Sequence, residues 1–358
     1  MATFVLVLTL FSAPHRYPVS AGDVVLVRDL NGDGRPDLAF SGNQTDELSA
    51  FSILINQGDG FAAEQLFASS FGEKVEDVVG GSVLASNYWQ NGISVYRSTG
   101  QHEFYSTATH GGPSKFIDYD GDGILDIVSL SFGSGNPVRI HRFRGQSDGS
   151  FAPKITLDTN LANAMTPSTR VINGVLEMLT SERSGNLGLI RFKSTGIEIE
   201  RLYAGPGFDL GCLFADVNGD GIPDVIDTSD EPGSLEPVFI TLGNADGTFR
   251  ERTRIGQQQR HLTFPLKVRA GDIDGDGFVD LVISADFRVP TLFVFLGDGH
   301  GNFNREPIAV DAGAPVNDFE LADLSGDGHP DIVTANNDHT ASVLTNLARS
   351  VRRRALRP

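Results

Sequence analysis

The 358-residue chain is 40% hydrophobic, ample for a core, and carries a formal charge of −18, from 46 acidic against 28 basic residues. That length suits two or three ordinary domains or one large repeat array, and the acidity leaves no basic field for nucleic acid. The lone Cys212 excludes an internal disulfide and reads as a small buried strand residue, so the sequence is silent on redox compartment.

The first residues, MATFVLVLTLFSAP, are an apolar run open to two readings. It resembles a signal-peptide core, with Val19-Ser20-Ala21 as a cleavage site, although no Lys or Arg precedes it. Alternatively, Thr3 to Phe11 is a strand that completes the last repeat. No other segment approaches the length of a membrane span.

A nine-residue pattern then occurs five times: DLNGDGRPD from Asp29, DYDGDGILD from Asp118, DVNGDGIPD from Asp216, DIDGDGFVD from Asp272 and DLSGDGHPD from Asp323. Oxygen-bearing side chains fall at positions 1, 3, 5 and 9, and glycines at 4 and 6. This is how a hard cation is wrapped: alternate residues point inward, position 7 offers its carbonyl, and glycine permits the sharp turn. The expected side-chain ligands are Asp29, Asn31, Asp33 and Asp37; Asp118, Asp120, Asp122 and Asp126; Asp216, Asn218, Asp220 and Asp224; Asp272, Asp274, Asp276 and Asp280; and Asp323, Ser325, Asp327 and Asp331. Arg35, Ile124, Ile222, Phe278 and His329 would offer carbonyls, His329 with its ring exposed. Like charges 4 Å apart repel by about 4 kcal/mol even at an effective dielectric near 20, so such a loop is expected to be compact only with its ion. Calcium fits better than magnesium, which demands a stricter octahedron and keeps more water. Five divalent ions would reduce the net charge to −8, so much of the acidity is ligand.

An EF-hand is excluded. Its twelfth-position Glu is replaced here by Phe40, Ser129, Asp227, Ile283 and Thr334, and the residues after each loop (LAFSG, IVSLS, VIDTS, LVISA, IVTAN) are strand-like. Each loop therefore joins two strands. The starts are 89, 98, 56 and 51 residues apart, so the unit is about fifty residues and each long interval hides a unit without a loop. In those two units Gly80-Gly81 and Asn173-Gly174 supply tight hairpin turns that need no ion. A third strand, a Gly-rich turn with Phe61, Phe151, Phe249 or Phe303, and a short fourth strand complete the full units.

These observations predict an all-β, seven-bladed β-propeller with four-stranded blades. The expected boundaries are 22–70, 71–109, 110–160, 163–205, 206–260, 261–312 and 313–347, with 1–13 as the fourth strand of blade 7 and 348–358 as a basic tail. Closure by the N-terminal strand removes the exposed edges of an open array.

The D-x-[DNS]-G-D-G-x-x-D loop followed by a strand and a DG-x-F turn resembles the FG-GAP/VCBS repeat of the integrin α-subunit head and of secreted bacterial and fungal propellers. The Phe-Gly and Gly-Ala-Pro marks of that family occur as Phe71-Gly72 and Gly313-Ala314-Pro315, and IVTANN before Asp338 is closer to the VCBS branch. The resemblance covers nearly the whole chain. It implies calcium on the loops between first and second strands, and partners on the opposite face. Blades 2 and 4 lack the loop, so the implied calcium does not extend to them.

No enzymatic constellation is present: the eight histidines are scattered without an H-E-x-x-H pair, and no G-x-S-x-G elbow occurs. The reading is a non-enzymatic, monomeric calcium-binding module for recognition or adhesion, secreted or at the periplasm or cell surface, with a protein or glycan ligand. Two alternatives stand beside it. Some rhamnogalacturonan lyases look similar, and some fungal lectins share the repeat, with Tyr88-Trp89 of blade 2 as an aromatic platform here.

Overall fold

The computed structural model describes residues 10–41, 50–69, 73–87, 89–97, 100–132, 137–161, 164–182, 186–193, 196–203, 209–229, 238–255, 265–285, 288–303 and 306–348. Within them, 28 strands form seven four-stranded antiparallel sheets. The inner strands of blades 1 to 7 are Val24–Arg28, Glu73–Val79, His110–Ile117, Ala164–Ile172, Asp209–Ala215, Pro265–Gly271 and Val316–Ala322. Each packs beside the inner strand of the next blade, and that of blade 7 beside that of blade 1. The fold is the expected all-β seven-bladed propeller. No helix among the described residues is long and apolar enough to cross a membrane.

Strand sequence follows radial position. A second strand has a blade on either side, so Asp37–Ser41 and Asp331–Asn336 are buried at every residue, as a sheet covered on both faces requires. Fourth strands lie at the rim: in Ile155–Asp158 only Leu157 is partly covered. The apolar core is accordingly divided into seven clusters, one at each junction between neighbouring blades. In the blade 5–6 wedge, for example, Val217, Ile226 and Ile240 face Val268, Ile283 and Phe295. In blades 2 and 4 the two-residue hairpins form as expected. Gly80, Gly81, Asn173 and Gly174 have φ of 55°, 74°, 50° and 75°, the positive values such turns need.

Blade 7 is built from both ends of the chain, but not by the residues expected. Its fourth strand is His15–Pro18, paired from His15↔Val343 to Pro18↔Thr340, rather than Thr3 to Phe11. Phe11 instead forms an isolated bridge to Asn346, as Phe61 does to Asn56 and Phe151 to Gly145. The physical reason is that Phe11 is the counterpart of the turn phenylalanines. Phe61 and Phe151 each precede their fourth strand by four residues, Gln65–Ala68 and Ile155–Asp158, and Phe11 precedes His15–Pro18 by the same step. Phe11 therefore opens the closing segment instead of ending it, and its ring is buried in the blade 6–7 wedge. Residues 1–9, including most of the expected strand, lie outside the described residues, as do 349–358 of the basic tail. Ala348 does not belong to a solvated tail, being buried with its amide donating to Asn346 Oδ1 at 2.9 Å. Val19 and Ala21, read as part of a cleavage site, are packed in the blade 7–1 wedge, so a cut there would remove the fourth strand of blade 7.

Two predictions follow from packing and burial. Phe11→Ala leaves a cavity at the seam and should cost about 3–5 kcal/mol in urea unfolding, and a chain started at Val19 should aggregate; an unchanged midpoint for both would refute the seam. His141, fully buried between Ser131 Oγ (2.7 Å) and Thr156 Oγ1 (3.0 Å), has its pKa pushed down to about 4 by burial, with smaller contributions from Lys154 and Arg139. The unfolded state then binds the extra proton first, so stability should fall as pH drops from about 6.5 to 4, by on the order of 3 kcal/mol. Denaturant titrations of wild type and His141→Asn across that window should converge as pH falls, and parallel curves would contradict the assignment.

Candidate metal centre

Each nine-residue loop joins the inner to the second strand of its blade. The glycines at positions 4 and 6 hold φ between +73° and +93°, the region where a side chain would strain the backbone. The first aspartate collects at least two amides in every loop: in blade 1, Gly32 N–H donates to Asp29 Oδ1 at 2.7 Å and Gly34 N–H to Oδ2 at 2.9 Å. Asp118, Asp216 and Asp272 do the same. Asp323 takes the amides of Asp327 and Gly328. The fifth-position aspartates, Asp33, Asp122, Asp220, Asp276 and Asp327, accept from the amides of Arg35, Ile124, Ile222, Phe278 and His329. Asn31, Asp120, Asn218 and Asp274 accept from the residue two further on, whereas Ser325 Oγ lies 3.4 Å from Asp323 Oδ1. Backbone dipoles thus offset part of the carboxylate repulsion, a contribution that the expectation of an ion-dependent loop did not count.

The ninth-position aspartates play a different part. Asp37, Asp126, Asp224, Asp280 and Asp331 are at most 1% exposed. One oxygen of each accepts the amide of the second loop residue at 2.7–3.0 Å. The other accepts the amide just beyond the third strand, at Asn56, Gly145, Gly243, Gly297 and Asn346, at 2.6–2.8 Å. That position is glycine in blades 3, 5 and 6 and asparagine in blades 1 and 7. A Cβ on Gly145 or Gly297 would collide with the carbonyl oxygen of Leu125 or Val279. Asn56 and Asn346 instead reach those carbonyls with their amides, at Pro36 (3.1 Å) and Pro330 (3.0 Å). Each also donates into the loop of the preceding blade, to Leu324 O (3.0 Å) and Ile273 O (2.9 Å). The loops of blades 6, 7 and 1 are thereby tied together on one face of the ring.

The electrostatics divide along the same line. Burial pushes the carboxyls of Asp126, Asp224 and Asp331 up, and that of Asp280 up to about 6, against the pull of their amide donors. The exposed Asp33 and Asp122 sit below the usual range, chiefly because the Arg35 and Ile124 amides donate to them. Among the described residues, two loops bring three acidic oxygens within 4.8 Å of one another: Asp118, Asp120 and Asp126, and Asp272, Asp274 and Asp276. A hard, all-oxygen donor set of this kind fits calcium, and it fits a soft or nitrogen-seeking ion poorly. In blade 3 a protein cation shares that space, since Arg144 lies 2.8 Å from both Asp120 Oδ2 and Asp122 Oδ2. In blade 1, Arg35 pairs with Asp33 at 2.7 Å. The sequence reading missed both arginines. Arg35 carries a charge at a position valued there only for its carbonyl, and Arg144 meets the loop only through the sheet.

The FG-GAP-like repeat family model matches residues 216–283 and 272–334, two overlapping spans that each open on a loop aspartate and run through the following loop. Residues 216–334 of this seven-bladed propeller are similar to FG-GAP-like repeats. Solved structures agree on the architecture alone. BBS1N in complex with ARL6DN is 11% identical, covers 94% of this chain and 97% of its own, and has a TM-score of 0.63. A catalytically inactive virginiamycin B lyase from Staphylococcus aureus with quinupristin is 15% identical over 93% and 99%, at 0.59. The Neurospora crassa Pan2 WD40 domain is 10% identical over 91% and 88%, at 0.58. No curated protein matches the sequence.

In this propeller every expected ligand residue lies in a described loop, and the loops set side-chain oxygens at the same places in five blades. The His329 ring is half-buried rather than exposed, lying against Gly275 of the neighbouring loop, where a Cβ would not fit. Blade 4, which lacks the loop, has a charged network beside its hairpin: Glu177 takes Arg170 and Arg191, each at 2.7 Å, and Arg170 also donates to Pro223 O of the blade 5 loop at 2.6 Å. Trp89 is 64% exposed, while Tyr88 lies outside the described residues.

Replacing the close-approach glycine tests this geometry. Gly145→Ala should cost about 1–3 kcal/mol, the range for overpacking, in chemical denaturation. Asn346→Ala should cost about 1–3 kcal/mol by stranding the Pro330 and Ile273 carbonyls. Neutral outcomes would show that the loop is not held against the third strand.

Proposed function

We propose that this propeller is a calcium-stabilised, non-enzymatic recognition module that binds a protein partner in an extracellular or periplasmic setting. The observation that carries the reading is the fivefold recurrence of one oxygen-rich loop on one face of the ring, with acidic oxygens gathered in blades 3 and 6. The side chains at positions 1, 3, 5 and 9, with the carbonyls at position 7, would hold the ions. Bound calcium would supply positive charge to carboxylates that amides satisfy only in part. Without a twelfth-position glutamate the sites belong with weak modules, around 10⁻⁴ M, an affinity that suits calcium concentrations outside the cytoplasm. The face away from the loops is left for a partner. A protein is favoured because a propeller of the same architecture, BBS1N, was crystallised with ARL6DN. Ligands committed to calcium lose basicity, which supports a binding function over catalysis.

Native mass spectrometry at millimolar calcium should find about five ions. Each site held at a hundredfold its Kd adds about 2.7 kcal/mol of stability by mass action. Chelation should therefore lower the melting temperature markedly, and magnesium should restore it poorly. Fewer than half the expected ions, together with melting indifferent to chelator, would overturn the calcium reading. On the partner side, release of unsaturated uronides from pectin or glycan-array binding would replace protein recognition with a lyase or lectin function.

A further inference from the structure

The inner strands of all seven blades contribute to one cavity of about 280 Å³ on the ring axis. Its charge opposes that of the molecule. In a chain of net charge −18, the wall presents Lys74, Lys115, Lys267 and Arg269 against Glu76, Asp318 and Glu320. The acids are already engaged. Asp318 is shared between Lys267 (3.7 Å) and Arg269 (3.4 Å), Glu320 holds Arg269 at 2.7 Å, and Glu76 accepts the Ser86 hydroxyl at 2.6 Å. Among the described residues, neither Lys74 nor Lys115 has a carboxylate partner.

The cations also oppose one another. Asp318 favours the charged form of Lys267, but burial, together with Lys74 and Arg269, outweighs it and lowers the ammonium pKa. A recess of this size is near the lower limit for small-molecule sites, and ionic attraction within it is several times that in bulk water. We propose that the axial cavity binds a small organic anion through a carboxylate or phosphate group, held among Lys74, Lys115 and Lys267, with Val24, Val75 and Val268 as its apolar wall. None of the residues lining it belongs to a calcium loop.

Cys212 lines the same cavity and is the sole cysteine, so it serves as a reporter. Its alkylation by the uncharged N-ethylmaleimide is followed with malonate, pyrophosphate or chloride at matched ionic strength. Calorimetry with the same anions reads affinity independently of the thiol. Saturable binding of malonate or pyrophosphate, but not chloride, is expected, and the stronger of the two separates carboxylate from phosphate recognition. Lys74→Gln and Lys115→Gln should each weaken that binding about tenfold, the value of one charge-assisted contact, with melting unchanged. No saturable heat from either anion, or undiminished affinity in both variants, would overturn the proposal.

Discussion

The architecture depends on a buried carboxylate that accepts one backbone amide from the start of its own loop and another from beyond the third strand. Isolated burial of such a charge is costly, and each amide returns about 1.5–3 kcal/mol. The balance is close, as the upward shift at Asp280 shows despite its donors. What the arrangement secures is geometry. It joins the inner, second and third strands at one point, and wherever asparagine follows the third strand it extends that joint to the preceding blade. Blades 2 and 4 have no such aspartate and use two-residue hairpins, so they lose the joint along with the loop.

Much of this was legible in the sequence because its causes are local. Positive-φ glycines at fixed offsets, alternation of oxygen side chains and apolar second strands reveal loop, turn and blade without reference to the rest of the chain. The failures have the opposite cause. Phe11 belongs to a turn whose first half is Asn346, so the segment around it looks like an isolated apolar run. The spacing from turn phenylalanine to fourth strand in blades 1 and 3 would have placed it correctly. Arg144 finds Asp120 and Asp122 through sheet pairing, and the spacing of the loop motif gives no sign of it.

The distribution of charge follows from the same topology. Acid accumulates where inner strands end in loops, whereas the cations of the axial cavity come from the inner strands of blades 2, 3 and 6, none of them notable alone. A repeat makes its conserved positions conspicuous and hides whatever is assembled from its variable ones. The asymmetry of blades 2 and 4 matters for the same reason, since departures from the repeat are where one blade can differ in chemistry from its neighbours. The Arg170–Glu177–Arg191 network in blade 4 is such a departure.

The seam of blade 7 also has a temporal side. Thr345 and Ser12 are hydrogen-bonded across 333 residues. At roughly 5–20 residues per second, a ribosome needs on the order of tens of seconds to make that span. Throughout that interval the Leu10–Pro18 segment has no partner strand, and the apolar flank of blade 1 that blade 7 will cover stays open. Six blades can stack as they emerge, each on the one before, but the ring is sealed last by its earliest described residues. A chaperone that shields this segment during synthesis would act on yield without touching the stability of the finished ring.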